Sequence, residues 1–80
     1  MTPITLVGTV EYVAIGTGTW AIAASDGVTY EIYNGEPIAL QHAGTQVTIT
    51  GILRDDVMSF AAIGPIIEVI TFEINGYSQP

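Results

Sequence analysis

The sequence of residues 19–33 is TWAIAASDGVTYEIY. It holds two short runs in which apolar residues recur at every second position, joined by Ser25-Asp26-Gly27. Alternation with a period of two is typical of a half-buried β-strand, and Asp-Gly suits the positive φ angles of a tight turn. The segment therefore predicts a β-hairpin, with Trp20 and Tyr30 on the face that points to the core.

The sequence on either side of this hairpin continues the same kind of pattern. Strands are predicted over residues 4–15, 45–53, 57–62 and 66–74, each bounded by glycine, proline or acidic turn residues. The first of them carries apolar residues on both faces, so Gly8 is expected to mark a bend or a bulge. Residues 75–80 are expected to form a polar, frayed tail.

One segment lacks this alternation. Pro37 begins an apolar stretch that Gly44 ends, and proline favours the first position of a helix while glycine favours the position after its end. A helix of two turns is stable only if it packs against the rest of the protein. The sequence therefore predicts one short helix between the third and fourth strands.

The predicted order of elements and several turn and core residues are similar to those of a known group of proteins. The residues that carry the similarity are Gly18-Thr19-Trp20, Asp26-Gly27-Val28-Thr29-Tyr30, Gly44-x-x-Val47-x-x-x-Gly51, Arg54-Asp55-Asp56 and Ala62-Ile63-Gly64-Pro65. They resemble small uncharacterised bacterial proteins with OB-like barrels. The resemblance implies an all-β fold: a single OB-like barrel over residues 1–80, with a core over about residues 4–74, five to six strands and one short helix between strands 3 and 4. Because these are turn and core residues, it implies no known activity.

The charge balance is the most informative functional property of the chain. The chain has eight acidic side chains and one arginine or lysine, Arg54, so its net charge is −7. Nucleic acids are bound mainly by lysine and arginine, which neutralise phosphates, and basic segments likewise bind anionic membranes. We therefore expect neither nucleic acid nor a membrane as a partner. Single-strand binding of the OB type stays as the alternative function, disfavoured by the charge.

Two further signals concern the partner and the location of the protein. Hydrophobic residues make up 49% of the chain and charged residues only 11%, against about 25% charged in an average protein. This favours a small acidic binding module that either contacts a protein partner or self-associates. The alternative is that threonine, serine, glutamine and asparagine take the place of charged residues at the surface. The N-terminal residues lack a signal-peptide pattern, so a cytoplasmic location is expected, with a secreted form that has lost its leader as the open alternative.

The sequence carries no pattern of an enzyme, a metal site or a cofactor site. It has no cysteine, and His42 is its one histidine, without the neighbouring ligands that a metal site needs. Asp55 and Asp56 are too few to supply the 6–8 oxygen ligands of calcium, and they suit a turn. We therefore expect a protein that is not an enzyme and that binds no cofactor.

Three residues are the candidates for a binding surface. Tyr33 and Tyr12 are aromatic side chains expected to be exposed, and exposed aromatics stack on ligands. Arg54 is the one cation, and we expect it to form a solvated pair with Asp55 and Asp56. No spacing in the sequence indicates whether these three residues lie together.

Overall fold

The computed structural model describes residues 2–59 and 61–77. It confirms the all-β class, with five strands and no helix longer than a single short turn in these ranges. The strands are β1 (Ile4–Val13), β2 (Thr19–Ala24), β3 (Thr29–Ile32), β4 (Thr45–Leu53) and β5 (Ile66–Tyr77).

The five strands form one closed barrel in the order β1-β2-β3-β5-β4, with β4 returning to β1. All neighbours are antiparallel except β3 and β5, which are parallel. That parallel contact consists of two residue pairs, Glu31 with Ile66 and Ile32 with Ile67. The seam between β3 and β5 is therefore short, whereas β4 pairs with β5 along most of its length.

The core lies inside the barrel and is built from the inward positions of all five strands. Of the two residues predicted on the core face, Tyr30 is buried and Trp20 is partly buried; Trp20 and Ala24 both pack against the core. Side chains with essentially no exposed surface come from every strand and from one turn: Val10, Ile22, Ile32, Leu40, Val47, Ile49 and Ile67. Burial of such side chains is the main favourable term in folding, and it fixes the strand faces.

The predicted hairpin between β2 and β3 is present, and Asp26 stabilises its turn. Its carboxylate accepts a hydrogen bond from the backbone N–H of Val28 at 2.8 Å and one from the hydroxyl of Tyr30, also at 2.8 Å. Gly27 adopts a φ of 86°, as this turn requires. The hydrogen bond to Asp26, followed by burial, raises the pKa of Tyr30.

The predicted helix between strands 3 and 4 is wrong in type. The segment holds two separate 3-10 turns of three residues each, Tyr33–Gly35 and Ile38–Leu40. Pro37 precedes the second turn with an extended ψ of 152°, so it does not occupy the first helical position. Leu40 is the one buried residue of the two turns. A longer helix would bury little more apolar surface, and so it lacks the packing that a short helix needs.

The predicted strand over 57–62 is also wrong, since the described residues 57–59 and 61–62 form no strand. The hydroxyl of Ser59 donates to the carboxylate of Glu31 and accepts the N–H of Ala62 at 3.0 Å. Ala62 has a φ of 53°, which is incompatible with a strand. Phe60, predicted on one face of that strand, lies outside the described residues.

The last strand is longer than predicted. It was expected over residues 66–74, but β5 extends to Tyr77. Residues 75–77 of the predicted polar tail therefore belong to the sheet, where Tyr77 pairs with Thr45 at the start of β4. Residues 78–80 of that tail lie outside the described residues.

Candidate functional site

A groove with a volume of about 380 Å³ lies between the β1–β2 turn and the connection from β4 to β5. A volume of this size falls within the range of ligand sites, about 300–1,000 Å³. We call it the barrel groove. Its lining comes from the β1–β2 turn (residues 15–19), from Trp20, from β3 and the first 3-10 turn (residues 31–35), from Gln41, from Val57, Met58 and Ala61 of the connection, and from Ile66.

Trp20 forms one aromatic wall of the barrel groove, and Tyr12 supports it. The two rings meet edge to face, with centroids 5.0 Å apart and an angle of 64° between their planes. The hydroxyl of Tyr12 donates to the carbonyl oxygen of Thr17 at 3.4 Å, which ties the ring to the β1–β2 turn. The predicted exposure of Tyr12 holds, because about half of its side chain is accessible. It lies beside the groove, however, and does not line it.

Tyr33 forms the second aromatic wall, and Arg54 lies over its ring. The centre of the guanidinium group is 4.8 Å from the ring centroid, which is within the range of a cation–π contact. Of the three candidate residues, Tyr33 alone lines the barrel groove. Tyr12 and Arg54 each support one of its aromatic walls.

Two carboxylates hold the guanidinium of Arg54. The predicted local pair is present with Asp56, whose two oxygens accept from Nε at 2.9 Å and from the terminal nitrogen at 3.0 Å. The second terminal nitrogen donates to Glu68 of β5 at 2.5 Å. The structure gives no ion pair between Arg54 and Asp55, so that part of the prediction is wrong. The hydrogen bond to Asp56, and then the one to Glu68, raise the pKa of Arg54.

The Arg54–Asp56 pair leads to a prediction on pH. The hydrogen bond from Arg54, followed by a backbone hydrogen bond, lowers the pKa of Asp56. A carboxyl whose pKa is lower in the folded state stabilises the fold above its unfolded-state pKa of about 4, and that contribution is lost as the pH falls through the folded-state pKa. We expect Arg54→Gln to raise the pKa of Asp56 toward its ordinary range, which an NMR titration of the side-chain carboxyl measures.

A matched variant separates the ion pair from the ring contact. Tyr33→Leu removes the aromatic ring and keeps both carboxylate partners of Arg54, so the pKa of Asp56 is expected to stay low. If Asp56 titrates identically in the Arg54→Gln variant and the parent protein, the ion pair does not cause the shift.

The β4–β5 connection (residues 54–65) is tied to the barrel beside the groove. Ser59 of this connection donates to Glu31 of β3. On the β3–β4 side of the groove, Gln41 donates to the carbonyl oxygen of Gly35 at 2.9 Å. Met58, the residue before Ser59, lines the groove and is 77% exposed. An unbranched, flexible apolar side chain at the rim of a groove can adapt to a bound segment.

Neither a metal cluster nor a membrane-spanning helix occurs in the described ranges. No group of three or more histidine, cysteine, aspartate or glutamate side chains there is placed to hold a metal ion. The helical turns of residues 2–59 and 61–77 lack the length and apolar character needed to cross a membrane. His42 is exposed and does not line the barrel groove.

Sequence reasoning missed several residues of the barrel groove. Trp20 was assigned to the core alone, and Met58 lay within the strand predicted over 57–62, which the described residues of that segment do not form. Gln41 lay within the expected helix. The one local signal was the Gly16-Thr17-Gly18 turn directly before Trp20, since an aromatic residue beside a turn lies at the end of a strand, where sites form.

Comparison with known proteins gives no further guide: no family model, curated protein or solved structure matches this chain.

Proposed function

We propose that this chain is a protein-interaction module built on an OB-type barrel, and that it binds a segment of a partner protein in the barrel groove. Two features support the OB type: the strand order β1-β2-β3-β5-β4 and the position of the groove. In that fold, ligands bind on the face of strands 2 and 3, between the loops that follow strands 1 and 4.

The single observation that carries the proposal is the lining of the barrel groove. Two aromatic side chains, Trp20 and Tyr33, line it together with the exposed Met58. Aromatic side chains in a concave site supply much of the binding energy at protein interfaces, because each buries a large apolar area with few rotatable bonds. We infer that the partner inserts an apolar side chain here.

The charge of the chain selects the chemistry of the partner segment. Glu31 lines the groove, and the net charge of the chain is −7. An acidic surface attracts a basic segment, repels an acidic one and does not repel a neutral one. The partner segment is therefore expected to be apolar at its centre, with uncharged or basic flanks.

One observation favours nucleic-acid binding as a second candidate function. Trp20 and Tyr33 could stack on bases, and stacking contributes about 1–3 kcal/mol per base. Phosphate contacts would have to come from Arg54, whose guanidinium is already held by Asp56 and Glu68. Without a free cation, the barrel groove lacks the positive path that follows a nucleic-acid backbone.

If the barrel groove binds a protein segment, a charge placed at its rim is expected to reduce capture of the partner without unfolding the protein. Met58→Glu places a carboxylate at the rim of the groove, and because Met58 is 77% exposed, the fold is expected to be retained. With the tagged protein as bait in nuclease-treated lysate of its source organism, we expect Met58→Glu to retain at most about a tenth of the partner captured by the parent chain, since an unpaired charge at a docking site costs about 1.4 kcal/mol or more.

The matched control is Val7→Glu, which makes the same change in charge at the other end of the barrel. Val7 is half exposed, and its carbonyl oxygen accepts the N–H of Ser25 at the β2–β3 turn. This variant is expected to capture the partner as the parent does. Prey that disappears on nuclease treatment, or that both variants lose equally, would contradict the proposal.

A further inference from the structure

The second half of β5 has an apolar face that the barrel does not cover. Phe72 pairs with Ile49 and Ile74 pairs with Val47, and these two partners on β4 are fully buried. Residues directly opposite each other lie on the same face of a sheet, so Phe72 and Ile74 point inward. Both nevertheless remain nearly 40% exposed. An inward-facing side chain remains this exposed only where neighbouring segments do not cover it.

The backbone of this half of β5 is also open on one side. β5 pairs with β4 as far as Tyr77, but with β3 only at Ile66 and Ile67. Beyond Ile67, the described residues offer no strand to the edge of β5 that faces away from β4. Such an edge presents unpaired N–H and C=O groups, which can accept another strand.

A cavity of about 400 Å³ lies along this open edge. It is lined by Glu36, Pro37 and Ile38 on one side and by Val69, Ile70 and Phe72 of β5 on the other. Ile38 is three-quarters exposed. We call the cavity and the edge of β5 beside it the β5 slot. It combines an open strand edge with apolar side chains, the two elements that recognition by strand addition uses.

Charge determines which occupant fits the β5 slot. Glu36 lines the slot, Glu73 is exposed on the outer side of β5, and the cation of Arg54 is held by two carboxylates. A second copy of this chain would bring another net charge of −7. Like charges close to each other oppose association, whereas lysine or arginine would complement both glutamates.

We propose that the β5 slot binds an extended basic segment of another protein, which adds to β5 as a further strand. Alternate apolar side chains of that segment face inward against Phe72, Ile74 and Ile38. The side chains between them are lysine or arginine and lie beside Glu73. This interaction uses a surface other than the barrel groove, so it does not depend on the function proposed above.

The test uses a synthetic heptapeptide that alternates lysine and valine, titrated into the isotope-labelled protein. We expect chemical-shift changes at residues 36–38 and 69–77, and slower hydrogen exchange of amides on the open edge of β5. A peptide with N-methylated valines, which cannot form the strand ladder, is expected to bind about tenfold more weakly. A peptide with glutamate in place of lysine is expected to give no change in these residues.

Charge-reversal variants of the protein distinguish binding in the β5 slot from nonspecific electrostatic attraction to the acidic chain. Glu73→Lys is expected to lower the affinity for the lysine–valine peptide about fivefold, because it replaces an attractive contact with a repulsive one. Asp55→Lys makes the same change in net charge in the turn after β4 and is expected to leave the affinity within twofold.

Three outcomes would overturn the proposal. The first is the absence of shift changes along β5. The second is an equal loss of affinity for Glu73→Lys and Asp55→Lys, which would mean that the peptide binds by net charge alone. The third is a sedimentation experiment in which the free protein is a dimer with β5 amides already protected, because the occupant would then be a second copy.

Discussion

Leu40→Ala is expected to lower the free energy of unfolding by about 2–5 kcal/mol. Leu40 is fully buried in the core, and it is the one buried residue of the two 3-10 turns between β3 and β4. Its side chain therefore anchors this connection to the barrel, and its removal leaves a cavity that the five strands cannot easily fill. A chain of 80 residues has a total stability of roughly 4–12 kcal/mol, so the loss is a large part of the whole.

Urea unfolding measures this loss, and the same turn supplies its control. Ile38→Ala removes an apolar side chain with the same number of carbon atoms two residues earlier, at a position that is three-quarters exposed. It is expected to change the stability by about 0.5 kcal/mol or less. If the two variants lose equal stability, the turn is not anchored through Leu40.

Gly8→Ala is expected to destabilise the protein by about 3 kcal/mol. Gly8 lies where β1 has strands on both sides, since it pairs with Ala24 of β2 and with Val47 of β4. A methyl group on Gly8 would lie 2.5 Å from the carbonyl oxygen of Ala23 and 2.8 Å from Cγ2 of Ile22. Both distances are too short for real contacts, so β1 and β2 would have to separate.

Gly76→Ala is the matched control, because Gly76 also lies in a strand. Its added methyl group would come no closer than 3.8 Å to the side-chain oxygen of Gln46, which is an ordinary contact. This variant is expected to range from unchanged to about 1 kcal/mol more stable, since alanine reduces the freedom of the unfolded chain. Thermal unfolding of the two variants distinguishes close packing at Gly8 from a general intolerance of alanine in the strands.

The parts of the fold that the sequence predicts well depend on neighbouring residues. Asp26-Gly27 predicts the β2–β3 hairpin because the turn is made by its own residues, through the hydrogen bonds of Asp26. The parallel seam between β3 and β5 has no such signal. It joins Glu31 to Ile66, which are far apart in the chain and meet only once the barrel closes.

Two of the errors in secondary structure arise where a tertiary contact competes with a local pattern. Pro37 and Gly44 both favour a helix. In the 3-10 turns between β3 and β4, however, Leu40 is the one residue whose side chain is buried. The predicted strand over 57–62 has an apolar pattern, yet Ser59 bonds to Glu31 of β3, and the described residues of this segment form a loop. In both cases a tertiary contact overrides the local preference.

The candidate site was predictable only in part. The expectation of exposed aromatic residues led to Tyr33 and Tyr12. Tyr33 is half-buried and not exposed, and it lines the barrel groove, whereas Tyr12 is exposed and supports Trp20. Of the two partners of Arg54, Asp56 was predictable because it is close in sequence. Glu68 was not, because it comes from β5. Which aromatic residues share one groove depends on how the barrel closes, and no spacing in the sequence encodes that closure.

Site-specific photo-crosslinking tests the central claim, binding of a protein segment in the barrel groove, most directly. A photoreactive phenylalanine analogue replaces Met58 in one variant and Val7, at the other end of the barrel, in a second. In cells of the source organism, we expect the variant at position 58 to give a protein adduct that survives nuclease. We expect the variant at position 7 not to give this adduct. No adduct from position 58, an adduct that nuclease removes, or the same adduct from both positions would contradict a protein-binding groove.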